Sequence, residues 1–590
     1  MNKPFGVIGR LWKHLSNRRK LQLLFLGILV LISGFAELFS LSAIIPLLST
    51  ISGSRELVIP SFVKEALSLI SILDQGNPVI KFALFFSIVS FIASFLRLSN
   101  IWLNSQMSAR IGTDLSTKAY RNILFQEYDF FSKRNSSELI NVVTTHSSNT
   151  VIVINQFLYL ATFIIVLIGL MLGLFIIDWK VAVCSGLFLF SSYIIIGGSA
   201  KKRILTNSRV IPNFVINQHN IVKEGLGTIK DLILKGNQNW YIRNYFEGDK
   251  AMRLKQAENQ FLIQFPRYII EPLILSLIGF FSAYVLISTK DPTIIIGLLG
   301  SFGLGAVKIL PNVQSIYSSW GRIKDYSKFA DDLCSILELY PIRASDINTI
   351  KKEELEFDNF LFDKISFSYD GYKDKVLDNI SFSINKGQKI AIMGKSGSGK
   401  STLVDLIMGL NFPSHGSIYV NDKQLYSSDK IDIKDFNFIA KWRRSIGHVP
   451  QDVYLVDSSI KQNIALGFDL KLVSDSEVIN AAKLSFIHEF ILSLPHGYNT
   501  NVGEMGSILS GGQRQRIGIA RALFGNPKIL VLDEATSALD SLTESNILDS
   551  ILKIDKSLTI IYITHKKNLL DRFDKILLVD SGRLLNHENR

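Results

Sequence analysis

Long apolar runs alternate with polar, basic stretches through the first half of the chain, and only short apolar runs occur in the second half. Each long run approaches the roughly twenty residues that a helix needs to cross a bilayer. The pattern predicts six membrane-spanning helices, at about 21–50, 78–108, 150–177, 180–200, 262–288 and 293–318.

The connections between these runs are of two kinds. Two long ones, 109–149 and 201–261, are polar with helical periodicity, so they are predicted to prolong the spans as helices beyond the membrane. They carry many Lys and Arg, as does the N-terminus, whereas the short turns carry one each. The positive-inside rule then places the N-terminus, both long loops and the C-terminal half in the cytoplasm.

The first external loop, 51–77, is longer than the other two. Its stretch 60–73 has apolar residues at helical spacing, which favours a short helix lying along the outer membrane surface. The alternative is the end of a span that projects outside the membrane. The basic N-terminus precedes a long apolar run without a small-residue cleavage site, so it predicts a span rather than a signal peptide.

Composition agrees with a membrane part followed by a soluble part. Of 590 residues, 47% are hydrophobic and 19% charged, which is too apolar for an average soluble enzyme. The formal net charge of +13 suits either nucleic-acid binding or a membrane protein. The basic residues crowd beside apolar runs without interleaved aromatic residues, so no nucleic acid is expected. The two cysteines, Cys184 and Cys334, lie in dissimilar segments, and no disulfide is expected between them.

Five ionisable residues fall inside the predicted spans. Because a charge is costly in hydrocarbon, each should face a cavity or pair with another. Glu37 is a candidate contact for a cationic or hydroxyl-rich substrate, and the alternative is a structural ion pair with Arg97. The basic residues are candidate substrate contacts too, although structural or lipid-headgroup roles suit Arg97 and Arg267. The five residues are Glu37, Arg97, Arg267, Glu271 and Lys308.

The soluble half begins near residue 356 and contains a phosphate-binding pattern. A β-branched run, a glycine-rich loop and a helical stretch follow one another over 389–410, which is the context that G-x-x-x-x-G-K-[ST] requires. Backbone N–H groups and a helix N-terminus would cradle phosphate, Lys400 would bind β/γ oxygens, and Ser401 would ligate Mg²⁺. The predicted nucleotide-binding residues here are Gly394, Lys395, Ser396, Gly397, Ser398, Gly399, Lys400, Ser401 and Thr402.

Two further stretches carry candidate chemistry. The apolar run 529–532 ends in Asp533, placed to hold Mg²⁺, and Glu534, placed to polarise a water. The stretch "SILSGGQRQR" (507–516) puts Ser510 beside two glycines without a nearby histidine to activate it. Its residues therefore suggest a backbone that approaches an anion, not a nucleophile.

These motifs together resemble the ATP-binding cassette, and the whole chain resembles an ABC exporter half-transporter. The resemblance implies an all-α domain of six transmembrane helices (type IV) followed by an α/β P-loop domain, with ATP and Mg²⁺ as cofactors. It divides the chain into an N-terminal elbow (1–20), a transmembrane domain (21–320), a linker (321–355) and a nucleotide-binding domain (356–590). The protein would lie in the inner (plasma) membrane with that last domain cytoplasmic.

The resemblance also assigns roles to single residues. Tyr369 in "FSYD" would stack on adenine, Gln451 in "VPQD" would contact Mg²⁺, and His565 in "ITHK" would contact the γ-phosphate. Glu504 would belong to the X-loop and Asp540 to the D-loop. Segments 138–143 and 225–229 look like coupling helices, the second of which would dock on the partner's cassette. The signature residues that would hold the other subunit's ATP are Ser510, Gly511, Gly512 and Gln513.

One set of motifs implies a homodimer, or a heterodimer with a degenerate partner. The cargo is predicted less directly. The position of Glu37, the long outer loop and the stretch 224–236 look most like bacterial lipid-linked oligosaccharide flippases. Multidrug, peptide or phospholipid export shares the architecture. A soluble DNA-repair or translation ATPase, an importer subunit and an ATP-gated channel are each disfavoured.

Overall fold

The computed structural model describes residues 4–43, 46, 47, 50, 78–177, 179–289, 292–340, 355–369, 374–427, 435–534, 541–553 and 555–589. The chain forms two compact units. The first comprises Met1–Gln126 and Phe131–Ile342, and the second Glu127–Phe130 and Arg343–Arg590. The helix expected at 60–73 and the D-loop residue Asp540 lie outside the described residues.

As far as residue 340 the described residues are almost entirely helical. The helices are α1 (Pro4–His14), α2 (Asn17–Ser42), α3 (Pro78–Leu124), α4 (Tyr128–Ser132), α5 (Ser136–Asn141), α6 (Ser147–Ile177), α7 (Trp179–Gly227), α8 (Ile229–Lys235), α9 (Gln238–Thr289), α10 (Pro292–Asp325) and α11 (Ser327–Leu337), with a π-helical turn at Val142–His146.

Several of these helices are much longer than a membrane is thick. Helix α7 has 49 residues and α9 has 52. At 1.5 Å per residue each is about 75 Å long, against a hydrocarbon core of about 30 Å. They therefore continue well beyond the bilayer, which confirms the prediction that the long polar loops prolong the spans.

Three described stretches are long and apolar enough to cross a membrane: Asn17–Ser40, Val79–Leu124 and Ser136–Gly173. A shorter apolar stretch, Gly186–Gly198, lies in α7. The remaining predicted spans fall in α7, α9 and α10, where many side chains are outside the described set. Large apolar side chains such as Phe91 and Phe95 are exposed on α3, as expected where lipid rather than water is the solvent.

The tip of the first long loop divides between the two units. The segment that groups with the second unit is Glu127–Phe130, at the start of α4. Residues 138–143, expected to form the coupling helix, lie in the first unit, where Leu139 and Val142 are buried. The helical pattern of "ELINVV" therefore coincides with burial inside the first unit, and its role as a coupling helix stays a prediction.

The second unit is an α/β domain with two sheets. Its strands are β1 (Asn359–Phe367), β2 (Leu377–Asn385), β3 (Lys389–Met393), β4 (His415–Val420), β5 (Lys423–Ser427), β6 (Ile446–Val449), β7 (Ile529–Asp533), β8 (Thr559–Ile563), β9 (Lys575–Asp580) and β10 (Arg583–Asn589). Its helices are α12 (Lys400–Ile407), α13 (Asp435–Arg444), α14 (Ile460–Ile464), α15 (Asp475–Leu484), α16 (His488–Ser493), α17 (Gly511–Leu523) and α18 (Ser541–Lys553).

The six-stranded sheet positions the candidate site. Its order is β10-β9-β3-β8-β7-β6, and every pair is parallel except β10 with β9. Strands β3 and β8 are buried at every position, as expected for parallel strands covered on both faces. Register pairs Ile563 with both Ile392 and Asp533, so the carboxyl ends of β3, β8 and β7 meet at one edge. Ligands bind at that edge of an open α/β sheet.

The smaller sheet, in the order β2-β1-β4-β5, is antiparallel throughout. Its β2 alternates buried and exposed residues, which is typical of a sheet with one face on the core. Phe360, Phe362 and Trp442 are buried together in that core, with the Phe360 and Trp442 rings stacked at 5.1 Å. Because Phe360 and Phe362 belong to β1, this core holds the strand that comes directly before Tyr369.

Candidate nucleotide site and intramembrane ion cluster

The glycine-rich loop joins β3 to α12, and two of its glycines are required by space. Gly399 has a φ of +101°, and a Cβ there would lie 3.0 Å from the Val376 carbonyl oxygen. A Cβ on Gly394 would lie 2.2 Å from the Val579 carbonyl oxygen. The loop can therefore hold its backbone close to the start of α12, where N–H groups converge on an anion.

Two side chains of this loop fit phosphate oxygens. Lys400 is buried, and its Nζ donates to the carbonyl oxygens of Gly394 (2.9 Å) and Lys395 (2.8 Å). The Ser398 hydroxyl is buried and has no hydrogen-bond partner among the described residues. An ammonium that is satisfied only by carbonyls and an unpartnered hydroxyl are both groups that a phosphate would engage.

Buried charge at the strand end suits a divalent cation bound together with a nucleotide. Burial raises the pKa of Asp533, Glu534 raises it further, and Lys400 opposes both effects. Burial lowers the pKa of Lys400, while the two carboxylates oppose that change. No group of three or more His, Cys, Asp or Glu side chains in the described ranges could hold a metal. The oxygens of Ser401 and Asp533 are hard donors that suit Mg²⁺ if phosphate oxygens complete its shell.

Glu534 lies at the centre of the site and is held from both sides. Its Oε1 lies 2.8 Å from His565 Nε2, and its Oε2 accepts from Gln451 Nε2 at 3.1 Å. Its backbone has a φ of +45°, and its N–H donates to the Ile563 carbonyl of β8. A non-glycine residue in the left-handed region is uncommon and occurs often at functional sites. The structure thus brings together Gln451, Glu534 and His565, although the first and last are 114 positions apart in the sequence.

Tyr369 follows β1 and lies close to α12, the helix that comes directly after the glycine-rich loop. Its hydroxyl lies 3.2 Å from Thr402 Oγ1, and its ring meets Phe367 edge to face at 4.9 Å. The tyrosine is therefore anchored beside α12. Its predicted stacking on adenine stays a prediction.

The signature segment forms the start of α17. Ser510 is its N-cap, where the hydroxyl accepts from the Gln513 N–H (3.3 Å) and Gln513 Oε1 accepts from the Ser510 N–H (2.9 Å). This capping box places Ser510 in a hydrogen-bonding role at the start of α17. The first turn of α17, from Gly511 and Gly512 onward, contains no acidic residue, so its positive end remains suited to an anion.

The first unit contains an ion cluster at membrane depth. Glu37 of α2 is buried, and its carboxylate lies 3.0 Å from Lys308 Nζ of α10 and 3.6 Å from an Arg97 nitrogen of α3. Lys308 also donates to Ser40 Oγ at 3.2 Å, and Ser40 lies 3.3 Å from Ser90 Oγ. Two cations thus share one buried carboxylate.

Arg267 does not belong to this cluster. It forms an ion pair with Glu271 at 3.3 Å, one turn along its own helix α9. Both side chains are more than two-fifths exposed, at 46% and 41%. Arg267 therefore pairs within its own helix, whereas Lys308 and Arg97 pair with the buried Glu37 across helices.

Two family models match the chain in the order that the fold displays. The model for the ABC transporter transmembrane region matches residues 42–216, and the ABC transporter model matches residues 377–537. The chain belongs to the ABC transporter family. The transporter carries both parts fused in one chain, as its sequence predicts.

Relatives of the transporter are exporters of several cargoes. It is 27% identical to the ATP-dependent lipid A-core flippase of Shewanella frigidimarina, over 82% of this chain and 79% of that protein. It is 31% identical to a lactococcin-A transport/processing ATP-binding protein of Lactococcus lactis subsp. lactis, over 83% of this chain and 66% of that protein. The transporter thus spans about two thirds of the length of the lactococcin relative.

The solved structure of a bacterial Atm1-family ABC exporter with ATP bound has the same fold. The TM-score is 0.76 at 22% identity, covering 97% of this chain and 95% of that one. The transporter is an ATP-hydrolysing exporter and a multi-pass protein of the inner membrane, with a helical transmembrane domain followed by an α/β nucleotide-binding domain.

Buried polar residues of the transmembrane helices escaped the sequence analysis. Asn100 and Asn104 of α3 are each 1% exposed, and neither amide is fully satisfied within the described residues. Asn312 lies one turn after Lys308 and is also buried. An asparagine at helical spacing from Arg97 was a usable signal, since polar groups in a span should face the interior.

Proposed function

We propose that the transporter moves an anionic amphiphilic lipid, a lipid-linked oligosaccharide with its pyrophosphate, from the inner to the outer leaflet. The cluster of Glu37, Arg97 and Lys308 is the observation that carries this proposal. Two cations against one carboxylate leave a net charge of +1 on the cluster. An unneutralised charge is expensive at membrane depth, and an anionic headgroup is a partner that offsets the cost.

The named cargoes of relatives support a lipid but leave a rival. A lipid A-core flippase matches most of the chain, which favours a glycolipid. A lactococcin-A transporter matches over a similar length and keeps peptide export as the second candidate. Putative multidrug exporters of Staphylococcus aureus match over a shorter region, 38% of this chain. A peptide would not need the excess cation, so the two classes differ in how they should depend on Lys308.

We further propose that hydrolysis uses the edge of the six-stranded sheet. Lys400 binds the β- and γ-phosphate oxygens, and Tyr369 stacks on the adenine. Ser401, Gln451 and Asp533 would hold Mg²⁺, which would supply charge neutralisation for phosphoryl transfer. Glu534 polarises the attacking water, and its contacts with His565 and Gln451 orient the carboxylate for that task.

The functional assembly in this proposal is a homodimer. The first turn of α17 has no acidic residue and an intact capping box, so it suits the γ-phosphate of ATP bound to Lys400 of a second copy. Closure of two cassettes on ATP and reopening after phosphate release drive alternating access. The residues that complete the second copy's site are Ser510, Gly511, Gly512 and Gln513.

The test measures ATPase activity of the full-length protein in nanodiscs, with and without a polyprenyl-pyrophosphate oligosaccharide. We expect stimulation by the glycolipid, and no stimulation by peptides or by neutral lipids. Glu534→Gln supplies the zero of the assay, because it removes the base. Lys308→Gln should require several-fold more glycolipid for half-maximal stimulation, since it removes one of the two cations.

Arg267→Gln is the matched control, because it deletes the same charge from a pair outside the cluster. Equal losses in Lys308→Gln and Arg267→Gln would contradict the assignment of the cluster to the cargo. Stimulation by peptides alone would move the function to peptide export. Activity no higher than that of Glu534→Gln would contradict the homodimer.

A further inference from the structure

Two adjoining cavities lie beside the N-terminal helix. One, of about 390 Å³, is polar and is lined by Lys13, His14, Ser16, Asp114 and Lys118 among others. The other, of about 610 Å³, is apolar and lies among α1, α2, α3 and α6. Leu15 lines both. A space lined by cations beside a space lined by apolar side chains suits an amphiphile.

The polar cavity has an excess of positive charge. Asp114 already binds Arg19 through both oxygens, at 2.7 and 3.2 Å. Glu338, the other acid nearby, binds Arg10 at 2.6 and 2.7 Å. Lys13 and Lys118 therefore line the cavity without a carboxylate of their own among the described residues.

The surroundings of His14 show the same excess of positive charge. Its Nδ1 lies 3.3 Å from Lys118 Nζ. Burial lowers the pKa of His14, and the charge of Lys118 lowers it further. The charged groups that surround His14 are Lys13 and Arg10 on α1, Lys118 on α3 and Glu338 beyond α11. The cationic members outnumber the single acid, which Arg10 occupies.

The start of α2 adds to this field. Ser16 caps the helix by accepting from the Arg19 N–H at 3.3 Å. The first turn of this 26-residue helix contains no acidic residue, and three consecutive basic residues ending at Lys20 lie within it. The first turn of α2 therefore supplies no negative charge to balance the positive end of its helix dipole.

An independent observation lies inside the apolar cavity. Asn104 lines it and is 1% exposed. Its amide donates to Thr162 Oγ1 at 3.3 Å, and its oxygen has no partner among the described residues. A buried acceptor facing an apolar space is costly unless a ligand or its water reaches it. Ester oxygens of a glycerolipid cannot donate to it, but a water held by that ester can.

The mouth of the apolar cavity is also suited to a lipid. Lys20 Nζ lies 5.9 Å from the centre of the Trp12 ring, so an aromatic and a cation stand together in the lining of the apolar cavity. Such pairs favour the boundary between headgroups and acyl chains. A Cβ added to Gly27 would meet no atom within 4 Å, so the cavity has room beside α2.

We propose that these two cavities bind one anionic glycerophospholipid of the inner leaflet. Its phosphate lies between Lys13, Lys118 and the start of α2, and an acyl chain fills the space beside Gly27. The lipid ties α1 to the first three long helices of the transmembrane domain. It is separate from the cargo at Glu37, and it does not depend on what that cargo is.

Native mass spectrometry of the delipidated full-length protein tests the proposal. Phosphatidylglycerol, phosphatidylcholine and sodium phosphate are added separately. We expect one phosphatidylglycerol per protomer to remain bound at collision energies that remove phosphatidylcholine. Lys13→Gln/Lys118→Gln should weaken that binding about tenfold, because it removes two cations next to the phosphate. Gly27→Phe should weaken binding of either lipid by filling the acyl space.

Matched controls separate a site from general attraction. Lys201→Gln/Lys202→Gln removes the same charge from exposed positions on α7, and Gly279→Phe adds the same ring at an open position on α9. Equal weakening in these controls would overturn the proposal, as would displacement of the lipid by sodium phosphate, which would indicate a site for a free anion. Basal ATPase activity checks that each variant is folded.

Discussion

The nucleotide site and the intramembrane cluster are assembled in different ways. Every residue of the nucleotide site follows the end of a strand or the start of a helix within a local motif, and the parallel register of β3, β8 and β7 then brings the motifs together. Glu37, Arg97 and Lys308 belong to no motif and come from three helices that meet only by packing. The nucleotide site lies at the ends of strands and helices, so local sequence largely determines it. The Glu37 cluster lies between helices, so it depends on which helix faces pack together.

The largest expected effect tests the backbone-built site. Gly399→Ala forces a side chain into a φ of +101° and against the Val376 carbonyl at 3.0 Å. Because this displaces the loop that positions phosphate, we expect about a hundredfold loss of ATPase activity. The measurement is ATP turnover together with the affinity for a fluorescent ATP analogue.

Gly467→Ala is the control for backbone strain alone. Gly467 also has a positive φ, +86°, but its Cβ would meet nothing within 4 Å. It should lose about 1–2 kcal/mol of stability with ATP affinity unchanged. Wild-type ATP affinity in Gly399→Ala would show that the loop tolerates a side chain and would contradict the site's geometry.

A smaller effect is expected when the packing-built cluster is broken. Glu37→Gln leaves Lys308 and Arg97 without their shared counter-charge, so the free energy of unfolding should fall by about 2 kcal/mol. Thermal unfolding in nanodiscs measures this loss of stability. Because the cluster gains one unit of positive charge, affinity for an anionic lipid should rise while stability falls.

Glu271→Gln gives the contrast for that experiment. It removes the same carboxylate from the exposed pair with Arg267 on α9, where the expected change is about 0–0.5 kcal/mol. If both variants lost the same stability, burial of Glu37 would have no energetic consequence, and the distinction between the two pairs would fail.

The smallest expected effect comes from removing the hydroxyl of Tyr369 while its ring is kept. Tyr369→Phe removes the hydroxyl that meets Thr402 at 3.2 Å and should cost less than about 1 kcal/mol of stability. The ring remains, so ATP affinity should stay close to that of the wild type. Tyr369→Ala removes the ring and should weaken ATP binding about tenfold if it stacks on adenine. Equal ATP affinities in the two variants would exclude the stacking role.

Particular residues show where prediction from sequence ends. The pattern 389–402 and the pair Asp533 and Glu534 could be recognised because phosphate binding needs fixed spacing along the chain. The contacts of Glu534 with Gln451 and His565 needed the strand order as well. The coupling role of 138–143 stays a prediction, since a helical pattern with buried residues such as Leu139 and Val142 is expected both for packing within the first unit and for coupling.

The sequence by itself determined the long apolar helices, the strand-loop-helix around phosphate and the family, because each depends on residue type at fixed spacing. The tertiary structure decided which intramembrane cation meets Glu37. Lys308 and Arg97 reach it across helices, whereas Arg267 turns to Glu271 one turn along its own helix. All three cations look alike in sequence. Their partners differ because the direction of a side chain in a helix bundle follows from the packing of neighbouring helices, which no local pattern specifies.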